Sequence, residues 1–180
     1  MQIVIGSDGA GVVVEVGDGV SKFKNGDQVY GDFHNFTRGR QNPWGTLAQY
    51  TVVEEELVAP KPTNLSFEEA ASLPLAVLTA QQGFDIAKFE KGQSVLIVGG
   101  AGGVGSLAIQ LARHVYGASR IVSTSSTGKL DFVKSLGADL VIDYTKQSYD
   151  QISEKFDFVF DTIGNSPTSL ALLRLASMRI

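Results

Sequence analysis

The sequence predicts an α/β fold: a doubly wound parallel sheet preceded by a smaller β domain. Three observations carry this. From Ser94 onward, short apolar runs alternate with stretches of helical periodicity. The first of those runs leads directly into a glycine-rich turn that opens a helix. Residues 1–60 instead show short strand-like runs punctuated by glycines and acids. Alternating β and α units imply a parallel sheet with right-handed crossovers.

In chain order, Val12–Val16, Gln28–Tyr30 and Leu47–Val53 read as strands, rich in residues that suit a half-buried pleated surface. Gly17-Asp18-Gly19 and Asn25-Gly26-Asp27 read as turns between them. Glu54–Glu56 reads as a solvated acidic edge, and Pro60-Lys61-Pro62 as a rigid connection. The architecture changes near Thr63, which divides the chain into domains 1–62 and 63–180. Ser66-Phe67-Glu68-Glu69 has capping-box spacing. Pro74 interrupts that segment, and a second helix is expected over about Leu75–Ala87.

Val95–Val98 is continuously apolar, as a parallel strand buried on both faces should be. Val104, Leu107, Ala108, Leu111, Ala112 and Val115 then repeat as one helical stripe. Arg120–Thr124 is the next strand, Lys129–Leu136 the next helix, and Gly137 its C-terminal glycine. Leu140–Tyr144 and Phe156–Asp161 complete the strands, with a polar helix expected near Ser148–Lys155.

The totals remove several function classes. The net charge of −4, with no basic block, argues against nucleic acid as the main partner. No apolar run has the length of a membrane span, and the N-terminus does not read as a signal peptide. Cysteine is absent, which removes disulfides, thiolate catalysis and thiolate zinc sites. With only His34 and His114, 80 residues apart, no metal site is expected. His34 is placed in a loop and His114 on a solvated helix face.

Chemistry concentrates at Gly99–Gly105. Gly100-Ala101-Gly102-Gly103-Val104-Gly105 fits G-x-G-x-x-G between a strand and a helix. The first glycine permits a tight turn, the second lets backbone approach a diphosphate, and the third packs helix against strand. The helix N-terminus adds free amides and a partial positive charge. The alternative is a glycine turn that merely joins strand to helix. The further βα units in the expected order favour the diphosphate cradle.

The end of the second strand selects the cofactor. An NAD site places an acid about 20 residues past the glycines to accept ribose hydroxyls. Here the run is Ser123-Thr124-Ser125-Ser126-Thr127-Gly128-Lys129, without an acid. Hydroxyls and an ammonium suit a 2′-phosphate, so NADPH is the expected cofactor. The bland alternative is a Ser/Thr-rich helix cap followed by a surface lysine.

Several segments together resemble the medium-chain dehydrogenase/reductases, within them the zinc-free quinone oxidoreductase branch. They are Gly26-Asp27-Gln28-Val29-Tyr30-Gly31, Gly45-Thr46-Leu47-Ala48-Gln49-Tyr50, Leu73-Pro74-Leu75 with Thr79-Ala80, and Val98 through Gly105. Ser125 through Leu130, Ser135-Leu136-Gly137-Ala138-Asp139 and Ile142-Asp143-Tyr144-Thr145-Lys146 look most like plant enone oxidoreductases and 2-alkenal reductases. The resemblance reaches to about Gly164.

The resemblance implies a partial GroES-like β domain followed by a partial Rossmann domain, with the cofactor in the cleft. The family has strands ahead of the region matching Ile5-Gly6-Ser7-Asp8 and further Rossmann strands after Asp161. The chain is therefore expected to be truncated at both ends. Carried over by position, Gly102, Gly103 and Val104 would contact the diphosphate, within the loop shaped by Gly100 and Gly105. Ser126, Lys129 and Tyr144 would hold the 2′-phosphate, Thr79 would sit near the nicotinamide, and Ile163-Gly164 would line the cofactor cleft. Tyr144 read alone is an ordinary strand-end aromatic.

The implied reaction is NADPH-dependent hydride transfer to α,β-unsaturated carbonyls (enones, 2-alkenals) or to quinones. The partner is a small-molecule substrate, and the full-length family suggests a homodimer. The compartment, cytoplasmic or chloroplast, is left open. No catalytic acid is identifiable, and His34, a possible loop contributor, is not expected to supply one. The competing expectation is a truncated, non-catalytic nucleotide-binding or structural protein.

Overall fold

The fold is that of a computed structural model, and it describes residues 4–34, 45–148 and 153–164. The chain divides into two compact units, residues 1–76 and 77–180.

The first unit holds an antiparallel sheet ordered β1-β2-β3, from β1 (Asp8–Val12), β2 (Gln28–Asp32) and β3 (Val58–Pro60). Its first strand lies earlier than the Val12–Val16 expected. The small residues Gly9, Ala10 and Gly11 pair with Gly31, Tyr30 and Val29, so ladder partners decide the strand and side-chain propensity does not. Past Val12 the backbone exchanges two further hydrogen bonds, Val13 N to Asp27 O at 2.9 Å and Gly26 N to Val13 O at 2.8 Å. Both predicted turns close, with Val20 N donating to Gly17 O and Asp27 N to Lys24 O.

Leu47–Val53 is not a strand. Thr46 N and Leu47 N donate to Gly6 O and Ile5 O, and the chain then bends away. Leu47, Tyr50 and Val52 are 74%, 75% and 68% exposed, so the alternating pattern lacks a sheet to bury against among the described residues. The third strand is Val58–Pro60, with Pro60 at the end of an edge strand where it costs no interior ladder bond. The acidic run is more than a solvated edge. Glu55 lies in a 3₁₀ turn, Glu55–Leu57, and its Oε2 accepts the amides of Ser21 at 3.0 Å and Lys22 at 2.8 Å. Those two amides hold its carboxyl below the usual range.

Helix α1 (Phe67–Ala71) carries the predicted capping box in full: Glu69 N donates to Ser66 Oγ and Ser66 N to Glu69 Oε2. The break expected at Pro74 is present, and helix α2 (Pro74–Ile86) follows it, taking the proline as its first residue because proline at a first helical position forfeits no bond. Asp8 Oδ1 accepts the amide of Leu75 in that first turn at 2.7 Å.

Burial raises the Asp8 pKa. The Leu75 amide opposes that effect, and Asp32, directly across the ladder, adds to it. A carboxyl raised in the fold gives stability that is present below its ordinary value of 3.8 and is lost as pH rises through the folded value. Asp8→Asn keeps an oxygen for Leu75 N and carries no charge. It is expected to raise the melting temperature by about 2 °C at neutral pH, shrinking toward zero in acid. Thermal melts of both proteins at neutral pH and near pH 3 check the sign.

The second unit is a parallel four-stranded sheet ordered β6-β5-β4-β7, from β4 (Ser94–Val98), β5 (Arg120–Ser125), β6 (Leu140–Asp143) and β7 (Phe158–Asp161). Helices α3 (Gly103–His114) and α4 (Leu130–Ser135) form the crossovers on one side. Val95 and Ile97 face Ala80 and Phe84 of α2, Ala108 and Ile109 of α3, and Val133 of α4. Leu96 and Val98 face the other way with Val122, Ile142 and Val159. This two-sided burial accounts for the unbroken apolar run of β4, each such side chain contributing roughly 2 kcal/mol.

The α3 stripe holds at Ala108 and Ala112, with Val104 and Leu111 partly buried against the same cluster, and differs at its edges. Its fully buried face is Gly105, Ala108, Ile109 and Ala112, while Val115 is 68% exposed at the C-cap. Gly105, Ala108 and Ala112 let the helix lie close to the sheet, and Ile109 fills the space beside them. His114 is exposed, as expected, and Gly137 follows α4 at φ +114°. Helix α4 proper begins at Leu130, because Thr127–Lys129 forms a 3₁₀ turn. The helix expected near Ser148–Lys155 lies partly outside the described residues, and 148 and 153–155 are not helical.

Candidate functional site

All four strands of the second sheet run parallel, so Val98, Ser125, Asp143 and Asp161 end at one edge. After β4 the chain moves to β5 and β6 on one side and returns with β7 on the other. Open α/β sheets bind ligands at such a reversal, outside the carboxyl end of the strand where the order turns back, here β4.

The glycine loop lies at this point, and its glycines divide into two groups. Gly99 takes φ +85°, and a Cβ there would lie 2.7 Å from Thr162 Oγ1 and 2.8 Å from Ile163 Cδ1. A Cβ on Gly100 would lie 2.0 Å from Ser123 Oγ, and one on Gly105 would lie 2.2 Å from Gly99 O. The fold itself requires glycine at these three. Gly102 and Gly103 differ. Among the described residues, a Cβ on Gly103 would meet nothing within 4 Å, and one on Gly102 only Gly99 O at 3.3 Å.

Neither open glycine helps the helix. Gly102 is the N-cap of α3 and makes no side-chain cap bond, where Ser or Asp would. Gly103 lies in the first turn, at a helix-propensity cost of roughly 1 kcal/mol against alanine. Two glycines that packing does not demand leave bare backbone at a helix start. The first bond of α3 runs from Ser106 N to Gly102 O at 2.9 Å, so the amides of Gly103, Val104 and Gly105 precede the helical ladder. Bare backbone, leading amides and the dipole end form a cradle for an anionic group.

The β5 hydroxyls sort in the same way. Ser123 Oγ donates to Ile97 O at 2.8 Å, Thr124 Oγ1 accepts Gly99 N at 3.0 Å, and all three of Ser123, Thr124 and Ser125 are buried. Thr127 Oγ1 donates to Asp143 Oδ2 at 2.5 Å. Ser126 is half-buried at the N-cap of the 3₁₀ turn, and its hydroxyl makes no cap bond. Lys129 is exposed, and its ammonium forms no ion pair among the described residues. Tyr144 follows β6 as an exposed side chain, and its amide donates to Ser125 O at 3.1 Å. The ends of β5 and β6 thus bring Ser126, Lys129 and Tyr144 to one corner.

Ile163 and Gly164 lie past β7 in a turn closed by Asp161 Oδ1, which accepts their amides at 2.9 and 3.1 Å. Ile163 packs beside Gly99, at the mouth of the loop. Thr79 is on α2. Gly83 lies over the Phe160 ring and Phe89 against Phe158, so α2 runs antiparallel to β7. That direction carries Thr79 toward the carboxyl edge of the sheet.

Sequence reasoning missed Thr124, Thr162 and Asp143. Thr124 fastens the glycine turn to β5, and Thr162 Oγ1 donates to Val98 O at 2.7 Å, fastening it to β7. Both are strand-end threonines beside the glycine turn, a signal that was present and unused. Asp143 is an acid at the end of the third strand, whereas the search for an acid stopped at the second.

Comparison with known proteins agrees with this arrangement. Residues 1–63 match the family described as alcohol dehydrogenase GroES-like domain, and residues 103–178 match zinc-binding dehydrogenase. The chain is 55% identical to a 2-methylene-furan-3-one reductase of Solanum lycopersicum and 50% identical to a chloroplastic NADPH-dependent alkenal/one oxidoreductase of Arabidopsis thaliana. Each match covers 95% of this chain and 44% of the relative, so the chain spans under half their length. The quinone oxidoreductase of Coxiella burnetii superposes with a TM-score of 0.84 at 34% identity, over 97% of this chain and 53% of that one. A mycobacterial protein complexed with NADPH gives 0.80 at 30% identity, over 98% of this chain and 55% of that one.

The second family's description names zinc. This chain has no cysteine, and no group of three His, Cys, Asp or Glu gathers among the described residues. No helix among the described residues is long and apolar enough to cross a membrane. The glycine loop at the sheet reversal, the two family matches and the structural likeness agree: the chain belongs to the medium-chain dehydrogenase/reductase superfamily.

Proposed function

We propose that this chain binds NADPH and serves the NADPH-dependent reduction of α,β-unsaturated carbonyls, enones or 2-alkenals, or of quinones. One observation carries the cofactor half. Among the described residues, a Cβ on Gly103 would meet no protein atom and one on Gly102 only Gly99 O at 3.3 Å, at the N-terminus of the helix following β4. A diphosphate approaching that backbone accounts for both. The names of the tomato and Arabidopsis relatives support the substrate class.

When bound, the cofactor supplies a hydride, which an electron-poor alkene accepts at its β-carbon while a proton completes the product. The chain's own residues bind and orient. Amides of Gly103 and Val104, next to bare Gly102, take the diphosphate, in a loop whose shape Gly100 and Gly105 set. Ser126, Lys129 and Tyr144 take the 2′-phosphate. Thr79, Ile163 and Gly164 lie toward the carboxyl edge of the sheet, on the nicotinamide side. Residues 1–62 contribute the substrate-side domain and 63–180 the cofactor domain.

The test is a titration of the protein with NADPH, followed by cofactor fluorescence, and then addition of an enal or a quinone. Saturable binding followed by loss of reduced cofactor is the expected result. Binding without oxidation would leave a nucleotide-binding chain and overturn the turnover claim. Absence of binding would overturn both halves.

A further inference from the structure

The carboxylate of Asp143 lies beside the Ser126–Lys129 turn, and the proposed function does not use it. It ends β6, in register with Ser125. Its Oδ2 accepts the Thr127 hydroxyl at 2.5 Å. Its Oδ1 accepts the Thr145 hydroxyl at 2.6 Å and the Thr145 amide at 3.0 Å. The two threonine oxygens lie 3.1 Å apart. Lys146 Nζ approaches Oδ2 at 3.7 Å.

This is a stitch between two loops. Thr127 belongs to the turn that carries Ser126 and Lys129, and Thr145 follows Tyr144. Beside the stitch, Tyr144 N donates to Ser125 O. An unengaged acid at such a corner would accept ribose hydroxyls and repel a phosphate. Here both oxygens are taken by hydroxyl donors, and Lys146 offsets the charge. The Thr127 and Thr145 hydroxyls hold the carboxyl below its usual range, which keeps it ionised as an acceptor.

We propose that Asp143 is a positioning residue for cofactor choice: by binding Thr127 and Thr145 it fixes the turn and the Tyr144 segment together, so that Ser126, Lys129 and Tyr144 meet one 2′-phosphate. This rests on the NADPH reading above. It assigns an acidic residue a part in favouring the more negative cofactor.

That reversal of sign makes the test sharp. Dissociation constants for NADPH and NADH are measured by cofactor fluorescence for the unaltered chain and for Asp143→Asn, Thr127→Val and Thr127→Ser, with a thermal melt of each. Asp143→Asn removes a negative charge, so a bystander carboxylate predicts tighter NADPH. Positioning predicts the reverse: Asp143→Asn and Thr127→Val weaken NADPH about tenfold and leave NADH unchanged, while Thr127→Ser restores wild-type binding. Tighter or unchanged NADPH in Asp143→Asn, or equal loss of both cofactors, overturns the proposal. Thr127→Val keeps it testable where Asp143→Asn melts early. Lys129→Ala separates the two levels. If it weakens both cofactors equally, the 2′-phosphate reading itself fails. If it is selective for NADPH while the Asp143 and Thr127 variants are silent, only the positioning role fails.

Discussion

Gly105→Ala and Gly102→Ala, three residues apart in one loop, will fail in opposite ways. In Gly105→Ala the new methyl would lie 2.2 Å from Gly99 O, 2.8 Å from Gly99 C and 3.0 Å from Gly100 Cα. All three are backbone atoms and cannot rotate aside, so α3 must shift off the β4 turn. Overpacking of this kind costs about 3 kcal/mol, or roughly 15 °C in the melting temperature of a unit this size. In Gly102→Ala the new methyl meets only Gly99 O at 3.3 Å, and the weaker N-cap costs under ~1 kcal/mol. Its effect falls on binding: a side chain at the N-cap stands beside the amides of Gly103 and Val104, and NADPH and NADH should both weaken by at least about tenfold. Thermal melts and titrations with both cofactors on the two variants give six numbers. Large loss of stability in Gly102→Ala, or unaltered binding there, would remove the argument that an outside ligand explains that glycine.

The contrast shows where sequence reading stops. The glycine pattern, the strand before it and the helix after it were all legible, because each is a local signal. The separate reason for each glycine was not. Gly100 is glycine because Ser123 Oγ lies against it from the neighbouring strand, and only the β4–β5 register reveals that. The capping box at Ser66 was legible for the same local reason. Val12–Val16 and Leu47–Val53 misled, because β-branched residues state a preference and a strand needs a partner. The α3 stripe was legible in Val104, Ala108, Leu111 and Ala112, which all pack on the core, and it erred at Val115, which is exposed past the helix end, and in omitting Ile109. At the site, Ser126, Lys129 and Tyr144 could be named from the run of hydroxyls and the resemblance. The stitch through Asp143 could not, since Thr127 and Asp143 are 16 residues apart and meet only once β5 and β6 pair.

Lys129→Ala will separate the two nicotinamide cofactors. Lys129 sits at the junction of the 3₁₀ turn and α4, at φ −121°, with an exposed side chain. Having no ion pair among the described residues, its ammonium can be removed without leaving a charge behind, so the melting temperature should hold. An ammonium–phosphate contact at an exposed site is worth on the order of 2 kcal/mol, which is about 30-fold in affinity. NADPH should therefore weaken by about that factor and NADH, lacking the 2′-phosphate, hardly at all. Because both partners face water, added salt should erode the NADPH preference of the unaltered chain and have little left to erode in the variant. Lys134→Ala is the control for net charge: Lys134 lies in the last turn of the same helix and changes the total by the same amount. If Lys134→Ala weakens NADPH as much as Lys129→Ala does, the preference comes from the general field of the protein and no residue-specific phosphate contact exists. If only Lys129→Ala is selective, the corner formed by β5 and β6 reads the 2′-phosphate directly.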